Sequence, residues 1–287
     1  ISLNQALQQA VANNKSITKG KLEIDYQKQY KKSLTEIPKT NIGLLYGQYN
    51  SINPTDNNFT ASQTIPFPTS FAANKALGNS LTKGSELKLA VTKNELLQQV
   101  KQVYGSLQYL YTHKQLLVQQ DSIYKGFVKS ATLRYKTGEG SLLAKATAET
   151  QSNEVQNQLL QNDADIQIYL AQLQTLLGSN ENITISDTLL KENNILLLTD
   201  TIAVNTNRML VYLQQQIDVA AKQKKAEAAK SLPDITAGYF NQSLIGYQNV
   251  NGIDEYFDGS KRFQGFHVGV DIPIFNSSGR AKVKAAE

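Results

Sequence analysis

The sequence predicts a mainly α-helical protein with a small β part, in which a long antiparallel coiled-coil helical hairpin accompanies two β-hairpins. Three observations predict this fold class. A helical pattern continues for about 64 residues without a proline, apolar and polar residues alternate in short segments, and a proline-flanked unit of helix, hairpin and helix occurs twice. The two copies of that unit form an internal repeat.

The composition excludes several classes of protein. Hydrophobic residues make up 40% of the 287 residues and the mean hydropathy is −0.37, and no stretch reaches the roughly 18 uninterrupted apolar residues of a spanning helix. The lack of cysteine excludes disulfides, thiol catalysis and cysteine-ligated metals. The 29 Lys and Arg residues are interleaved with 24 Asp and Glu residues, which favours solvated helix faces over a nucleic-acid surface. We therefore expect any membrane contact to use strands.

Helices account for most of the chain. The first is predicted over 2–36, with a break near Asn13 and Asn14, and the long helix over 72–135. In the long helix, alternate steps of four and three residues from Leu96 to Tyr135 give twelve positions, of which ten are apolar. This 3.5-residue repeat favours a left-handed coiled coil. About 64 helical residues would extend about 96 Å, more than an ordinary globular domain needs.

A tight turn over 136–140 joins the long helix to a returning helix predicted over 141–177. Ser141 can cap the returning helix, Gly138 or Gly140 can supply the positive φ of the reversal, and Gly178 can end the helix. The turn therefore predicts an antiparallel helical hairpin. A loop-rich insert follows over 179–205, with short strands or caps expected at 182–185 and 195–198, and helix resumes over 207–231.

Two strand pairs separate the helices: a β-hairpin over 40–65, with strands at 40–49 and 58–65, and another over 234–272, with strands at 234–244 and 263–272. In the last strand, one face carries Phe266, Val268, Val270 and Ile272, and the other carries Gly265, His267, Gly269 and Asp271. Such alternation is typical of a strand with lipid or core on one side and water on the other. It does not by itself distinguish a transmembrane barrel strand from an ordinary sheet strand.

The repeat divides the chain at about residue 200. In both copies a proline precedes a glycine by five residues, at Pro38 and Gly43 and again at Pro233 and Gly238, and a second proline follows the returning strand. The first repeat is assigned to 1–200 and an incomplete second repeat to 206–287, which ends at the start of a second long helix. Only 14 residues follow Pro273, so we expect a C-terminally truncated sequence that lacks the second helical hairpin.

Two segments carry a resemblance to a known family. The hairpin tip at 134–144, Arg-Tyr-Lys-Thr-Gly-Glu-Gly-Ser-Leu-Leu-Ala, and the second strand exit, Pro273-Ile274-Phe275-Asn276 with Gly279-Arg280, resemble the TolC family of outer-membrane efflux proteins. The first exit, Pro66-Phe67-Pro68, departs from the family pattern because it lacks Gly-Arg. The resemblance implies a homotrimer in which each subunit contributes four strands to one 12-stranded transmembrane β-barrel, continued by a helical tunnel with the insert as part of its equatorial collar.

The resemblance also implies a function. The protein would be the passive exit duct of a tripartite efflux system, located in the outer membrane of a Gram-negative bacterium and extending into the periplasm. Its partners would be a periplasmic adaptor, an inner-membrane pump of the resistance–nodulation–division class and outer-membrane lipid. The residues expected to contact the adaptor are those of the tip: Arg134, Tyr135, Gly138, Glu139, Gly140, Ser141 and Leu142. The alternative reading of the tip is a well-made turn with a solvated Arg134. The residues expected to face lipid are Phe266, Val268, Val270 and Ile272.

The first strand pair is most similar to members associated with heavy-metal exporters, some of which are joined in one chain to their pump. Heavy-metal cations or drugs are therefore the expected cargo, although the sequence contains no metal site of its own. His113 and His267 lack a neighbouring ligand at metal spacing, and Gly138-Glu139-Gly140 does not match a nucleotide-binding loop. We expect no catalytic residue, cofactor or nucleic-acid partner. The alternative from another class is a coiled-coil adhesion or scaffold protein without channel activity.

Overall fold

The order of elements confirms the predicted succession of helices and hairpins. The structure, a computed structural model, describes residues 1–188 and 207–286. Its helices are α1 (Leu3–Asn13), α2 (Lys15–Ser33), α3 (Pro68–Lys136), α4 (Leu142–Leu177), α5 (Arg208–Ala229) and α6 (Ser277–Ala285). Its strands are β1 (Asn41–Tyr46), β2 (Asn57–Ile65), β3 (Asp234–Gln242), β4 (Gly246–Val250), β5 (Ile253–Phe257) and β6 (Phe263–Asp271).

Helix α3 is a single element of 69 residues, which corresponds to a length of about 104 Å. It continues through Gly105 without interruption and begins at Pro68, four residues before the predicted start. A proline fits the first position of a helix because its φ is already helical and the amide that it lacks would have no partner there.

The predicted break in the first helix lies at Asn14. This residue has an extended backbone between α1 and α2, and its side-chain oxygen accepts a hydrogen bond from the amide of Ser16 at 2.8 Å. Its side-chain amide donates to the carbonyl of Leu176 at the end of α4 over 2.9 Å. Asn14 therefore ends one helix, begins the next and ties both to α4.

Contacts group the chain into two units: Ile1–Leu22 with Leu87–Leu210, and Glu23–Glu86 with Val211–Glu287. In the first unit, α1, α3 and α4 share a hydrophobic core. Its fully buried side chains include Ala6, Ala10, Val100, Tyr104, Leu107, Leu173 and Leu177. The division into repeats at 1–200 and 206–287 concerns sequence duplication and stays a prediction.

Polar contacts in the first unit hold α3 and α4 side by side. Asn162 is buried, its amide donates to the Leu110 carbonyl at 3.2 Å, and its oxygen lies 3.1 Å from Nδ1 of His113. One residue further along each helix, Lys114 and Asp163 form a salt bridge of 2.7 Å. His113 is therefore a packing residue of the antiparallel pair.

The described part of the insert covers the core of the first unit. The predicted strand or cap at 182–185 has no strand pairing, and Ile185 is buried against the core. The amide of Ser186 donates to the carbonyl of Ile1 at 3.1 Å, and the amino group of Ile1 donates to the carbonyl of Thr184 at 2.6 Å. The segment thus acts as a cap, and the strand expected at 195–198 lies outside the described residues.

The second unit contains a four-stranded antiparallel sheet in the order β1-β2-β3-β6. Both predicted hairpins are present, and β2 and β3 join them in a register that runs from Asn58 opposite Gln242 to Ile65 opposite Ile235. Helix α5 packs against the beginning of α3 through Leu77, Val219 and Ala226.

A further hairpin of β4 and β5 lies between β3 and β6, where the sequence predicted only a long loop. Asn251 and Gly252 form its turn, with φ of 56° and 89°. Two successive positive φ values are what a type I′ two-residue hairpin turn requires, and Asn-Gly is a preferred sequence for it.

We expect the replacement of Gly178 by alanine to destabilise the first unit. Gly178 has φ of 61°, and an added Cβ would lie 2.8 Å from the backbone oxygen of Asn13. Both effects oppose alanine, so Gly178→Ala should lower the free energy of unfolding by about 2 kcal/mol or more. The measurement is the unfolding midpoint followed by far-UV circular dichroism.

The matched control is Gly126→Ala in α3, where a Cβ would meet open space. Because alanine loses less conformational freedom than glycine in a helix, this variant should gain roughly 0.5–1 kcal/mol. Equal effects of the two substitutions would contradict the assignment of Gly178 as an obligatory helix end.

Candidate functional sites: the sheet faces and the hairpin tip

One face of the four-stranded sheet is apolar and exposed. Residues opposite each other in the ladder share a face, so the register defines this surface, which we call the apolar face. It consists of Ile42, Leu44, Tyr46, Asn57, Phe59, Ala61, Gln63, Ile65, Ile235, Ala237, Tyr239, Asn241, Gln264, Phe266, Val268 and Val270. Twelve of these sixteen residues are apolar or aromatic, and Phe266, Val268 and Val270 are 84%, 77% and 60% exposed. The face therefore presents a continuous hydrophobic surface.

The opposite face, which we call the polar face, is mostly polar or small. It consists of Asn41, Gly43, Leu45, Asn58, Thr60, Ser62, Thr64, Asp234, Thr236, Gly238, Phe240, Gln242, Phe263, Gly265, His267, Gly269 and Asp271. Two of its glycines receive the ring of the residue opposite: an added Cβ would lie 2.2 Å from the His267 ring at Gly238, and 2.9 Å from the Phe240 ring at Gly265. His267 thus covers the strand beside it and keeps its ring on the polar side.

Hydroxyl groups link three strands on the polar face. The Thr64 and Thr236 hydroxyls lie 3.0 Å apart, and Thr236 donates to the Asp271 carboxylate at 2.5 Å. Asp234 lies directly opposite Asp271. The ionisable side chains of the face are therefore two aspartates and one histidine.

The residues predicted to face lipid fall on the apolar face or continue it. Phe266, Val268 and Val270 belong to β6, and Ile272 lies one residue beyond the strand, where it is also exposed. Within 1–188 and 207–286, no helix combines the length and the apolar character needed to cross a membrane.

The sheet ends in two edge strands, β1 and β6. Each pairs on one side with a neighbouring strand, and no other strand of the described chain pairs with its outer side. An edge strand presents backbone donors and acceptors to whatever lies beside it. Since β6 also carries the most exposed part of the apolar face, hydrophobic surface and unpaired backbone occur together.

The hairpin tip is a compact turn between α3 and α4. Gly138 has φ of 79°, and the amide of Glu139 donates to the Arg134 carbonyl at 2.9 Å. Ser141 accepts a hydrogen bond from the amide of Ala144 at 3.1 Å and so caps α4. The predicted cap and the positive φ at Gly138 are confirmed, whereas Gly140 has no positive φ.

Apolar side chains surround this turn. Leu142 and Leu143 are exposed, and a groove of about 950 Å³ runs between α3 and α4. Its lining includes Tyr124, Phe127, Arg134, Glu139, Ser141 and Leu143. The sequence prediction missed Tyr124, Phe127 and Leu143, although the apolar run after Ser141 was a signal for the last of them. The groove offers apolar contact area beside charged groups of both signs.

The described part of the chain contains no cluster of side chains that could hold a metal ion. No group of three or more His, Cys, Asp or Glu side chains lies together in residues 1–188 and 207–286. Of the two histidines, His113 contacts Asn162 and His267 lies over Gly238.

No family model matches the sequence, and no curated protein matches it. Solved structures do match. The outer-membrane channel OprN superposes with a TM-score of 0.78 at 13% identity, over 99% of this chain and 67% of its own. The chain has the TolC-like fold.

Two further structures support the TolC-like fold. CusC, whose crystal structures concern folding and transmembrane channel formation, matches with a TM-score of 0.72 and 17% identity, over 99% of this chain and 68% of its own. The outer membrane protein VceC of Vibrio cholerae matches with a TM-score of 0.71 and 18% identity, over 99% of this chain and 73% of its own. At these identities the likeness establishes the fold, which includes both the long helices and the four strands.

We expect Ser141→Ala to loosen the beginning of α4. The Ser141 hydroxyl satisfies an amide that has no partner within the helix, and loss of such a cap costs about 1 kcal/mol. Amide hydrogen exchange at 142–145 should accelerate roughly fivefold. The control is Thr137→Ala: this hydroxyl donates to the Leu133 and Arg134 carbonyls and caps no amide of α4. Exchange that is unchanged in Ser141→Ala would remove the capping role.

Proposed function

We propose that the protein is the outer-membrane exit duct of a tripartite efflux system, which conducts its cargo passively from the periplasm to the exterior. The observation that carries the proposal is the four-stranded sheet, with its exposed apolar face, its polar opposite face and two open edges. The TolC-like fold supports the same assignment, since OprN and CusC are described as channels.

Lipid is the medium that fits the apolar face. In water a continuous hydrophobic surface of this kind would promote aggregation, whereas in a bilayer it would contact the hydrocarbon chains of the lipid. Strands β2, β3 and β6 each have nine residues, close to the roughly 9–11 that a tilted transmembrane strand needs. The polar face would then line water.

Other copies of the chain are the partners that fit the open edges. Each unpaired backbone group in hydrocarbon costs several kcal/mol, so an open sheet is stable there only when its edges are closed. Pairing of β1 with β6 of a neighbouring copy removes both edges at once. Three copies would give 12 strands, and their polar faces would surround one pore.

The two ends of the sheet have different surroundings. Prolines 38, 66, 233 and 273 mark the end at which the chain enters or leaves helices, and the loop 47–56 and the segment 243–262 lie at the other end. We infer that the helical end faces the periplasm and the loop end the exterior. The inner-membrane pump, an exporter of the resistance–nodulation–division class, would supply the energy, and heavy-metal cations or drugs would be its cargo.

The hairpin tip fits the adaptor. Around a tight turn, the tip combines exposed apolar side chains with charges of both signs. Its residues are Arg134, Tyr135, Gly138, Glu139, Gly140, Ser141 and Leu142. An added Cβ at Gly138 would meet open space, so glycine there permits close approach of a partner backbone, whereas Gly140 packs against Arg134 and Tyr135 within the tip. A scaffold protein without a channel would also have long helices, but it would have no use for the exposed apolar face of the sheet.

We expect Val268→Lys to block membrane assembly. A lysine on the lipid side of a barrel strand costs about 2–4 kcal/mol near the middle of the membrane. The amounts of heat-resistant trimer and of urea-resistant membrane protein should therefore fall severalfold. They are measured by gel electrophoresis of membrane fractions without boiling.

The matched control is the neighbouring residue, on the polar face. At Gly269 an added Cβ meets open space, so Gly269→Lys should assemble normally. If both variants assemble equally well, or if the unaltered protein is recovered without detergent, the membrane assignment fails and the scaffold alternative is favoured.

Added bulk at the tip should weaken adaptor docking. Gly138→Asn keeps a residue that tolerates positive φ at a position where a Cβ meets open space, and Gly140→Ala adds only a Cβ, which would lie 3.1 Å from the Cβ of Arg134. With a photo-crosslinker at Leu142, the double variant should give about tenfold less adaptor crosslinking, equivalent to about 1.4 kcal/mol of binding free energy. Gly126→Val, on α3 where a Cβ meets open space, is the control. Unchanged crosslinking in a normally folded double variant would remove the docking assignment.

A further inference from the structure

The loop 47–56, which we call the first loop, is folded around a buried carboxylate. Asp56 has no exposed surface, although it lies between two strands at the loop end of the sheet. Its backbone oxygen accepts a hydrogen bond from the amide of Gly47 at 2.8 Å, which closes the loop. A buried carboxylate is stable only when its oxygens accept hydrogen bonds, so its partners identify what Asp56 holds.

The Asp56 carboxylate joins the first loop to a distant part of the chain. Its Oδ2 accepts from the Ser51 hydroxyl at 2.5 Å, within the loop. Its Oδ1 accepts from the Ser243 hydroxyl at 2.9 Å and from the Ile245 amide at 3.0 Å, both in the segment between β3 and β4. These partners are 187 and 189 residues away in sequence. One side chain therefore connects the loops of both predicted hairpins.

Ser243 is equally buried and extends this connection. Its hydroxyl accepts from the amide of Asn57, and its carbonyl accepts from the side-chain amide of Asn50, both at 2.9 Å. The contacts lie just beyond the last ladder pair of β2 and β3, Asn58 opposite Gln242. They continue the seam between the hairpins past the end of the sheet.

The carboxylate is charged at neutral pH. Burial raises the pKa of Asp56, but hydrogen bonds from Ser51, Ile245 and Ser243 together outweigh it and hold the pKa below its usual value. A group with a lowered folded pKa stabilises the fold above its unfolded pKa and loses that effect only as the pH falls through the folded value. Near neutral pH the Asp56 contacts are therefore fully formed.

We propose that Asp56 is a latch that holds the first loop against the base of the segment 243–262, which we call the second loop, and so keeps the outer mouth of the duct in one conformation. The assignment of this end to the outer mouth rests on the proposed function. The latch itself rests on the contacts: without the carboxylate, the Ser51 hydroxyl loses its acceptor and Ser243 and Ile245 lose their hydrogen bonds to Asp56, while the contact of Asn50 with the Ser243 carbonyl remains. The first loop would then be held less firmly against the second and would open more often.

The test is the rate at which chymotrypsin cuts after Tyr49, an exposed residue of the first loop, in the full-length protein purified in detergent. Cleavage of a briefly opened loop follows the population of the open form. Because a hydrogen bond to a charged group accounts for about a tenfold change in such a population, Asp56→Ala should raise the rate about tenfold or more. Asp56→Asn, which keeps the shape but loses acceptor capacity, should give a smaller increase.

The matched control is Asp258→Ala. Asp258 also accepts hydrogen bonds from a serine, through the amide and hydroxyl of Ser260, but it is exposed, and its partners lie within two residues. Its removal should leave cleavage after Tyr49 unchanged. Cleavage after Tyr135, which Asp56 does not contact, reports whether a variant is misfolded as a whole.

The outcomes separate the latch from the proposed function. A rate after Tyr49 that is the same in Asp56→Ala, Asp258→Ala and the unaltered protein overturns the latch. Repeating the digestion on intact cells that produce Asp56→Ala tests the location. Faster cleavage after Tyr49 in detergent, without cleavage on the cells, would support the latch and contradict its assignment to the outer mouth. Faster cleavage in both settings supports both parts of the proposal.

Discussion

Backbone groups at the two edges of the four-stranded sheet constrain the rest of this molecule. Strands β1 and β6 each have an outer side without a strand partner in the described chain, and the face between them is hydrophobic. In water such a sheet would be an aggregation hazard, and in lipid alone it would be unstable. Only closure by further strands makes both its faces and its edges compatible with a bilayer. In the proposed duct, strands of other copies supply this closure, and the polar face lines the pore.

The other features are consistent with that constraint. Prolines at the helical end of the sheet mark the change between strand and helix, and α3 continues from Pro68 for 69 residues without a break. The α3 and α4 pair is held by a hydrophobic core and by the polar contacts of Asn162, His113 and Leu110, so its tip is a defined surface. At the loop end, Asp56 extends the seam between β2 and β3.

Local signals were sufficient to predict much of this fold. Three predicted features depend on residues close in sequence, and all are present. They are the helical repeat from Leu96 to Tyr135, the Ser141 cap, and the positive φ of Gly138 and Gly178. The pairing of β2 with β3 and the contacts of Asp56 with Ser243 and Ile245 join residues at least 170 positions apart, so no local pattern reports them. The hairpin of β4 and β5, which was not predicted, does have a local signal in Asn251-Gly252. Extension of the apolar face to β1 could have been read from the alternation of Ile42, Leu44 and Tyr46, whereas Gln63 obscures it in β2.

Disulfide trapping between strands tests the closure of the sheet most directly. The chain has no cysteine, so one can be placed in β1, at Ile42 or Leu44, and one in β6, at Phe266, Val268 or Val270. Within one copy these strands lie about 14 Å apart, beyond the roughly 7 Å that a disulfide can bridge between Cα atoms. If copies close the sheet, oxidation in membranes should yield a covalent trimer for at least one of the six combinations. Recovery of uncrosslinked chains from all six, with the sheet folded, would contradict closure of the sheet by other copies.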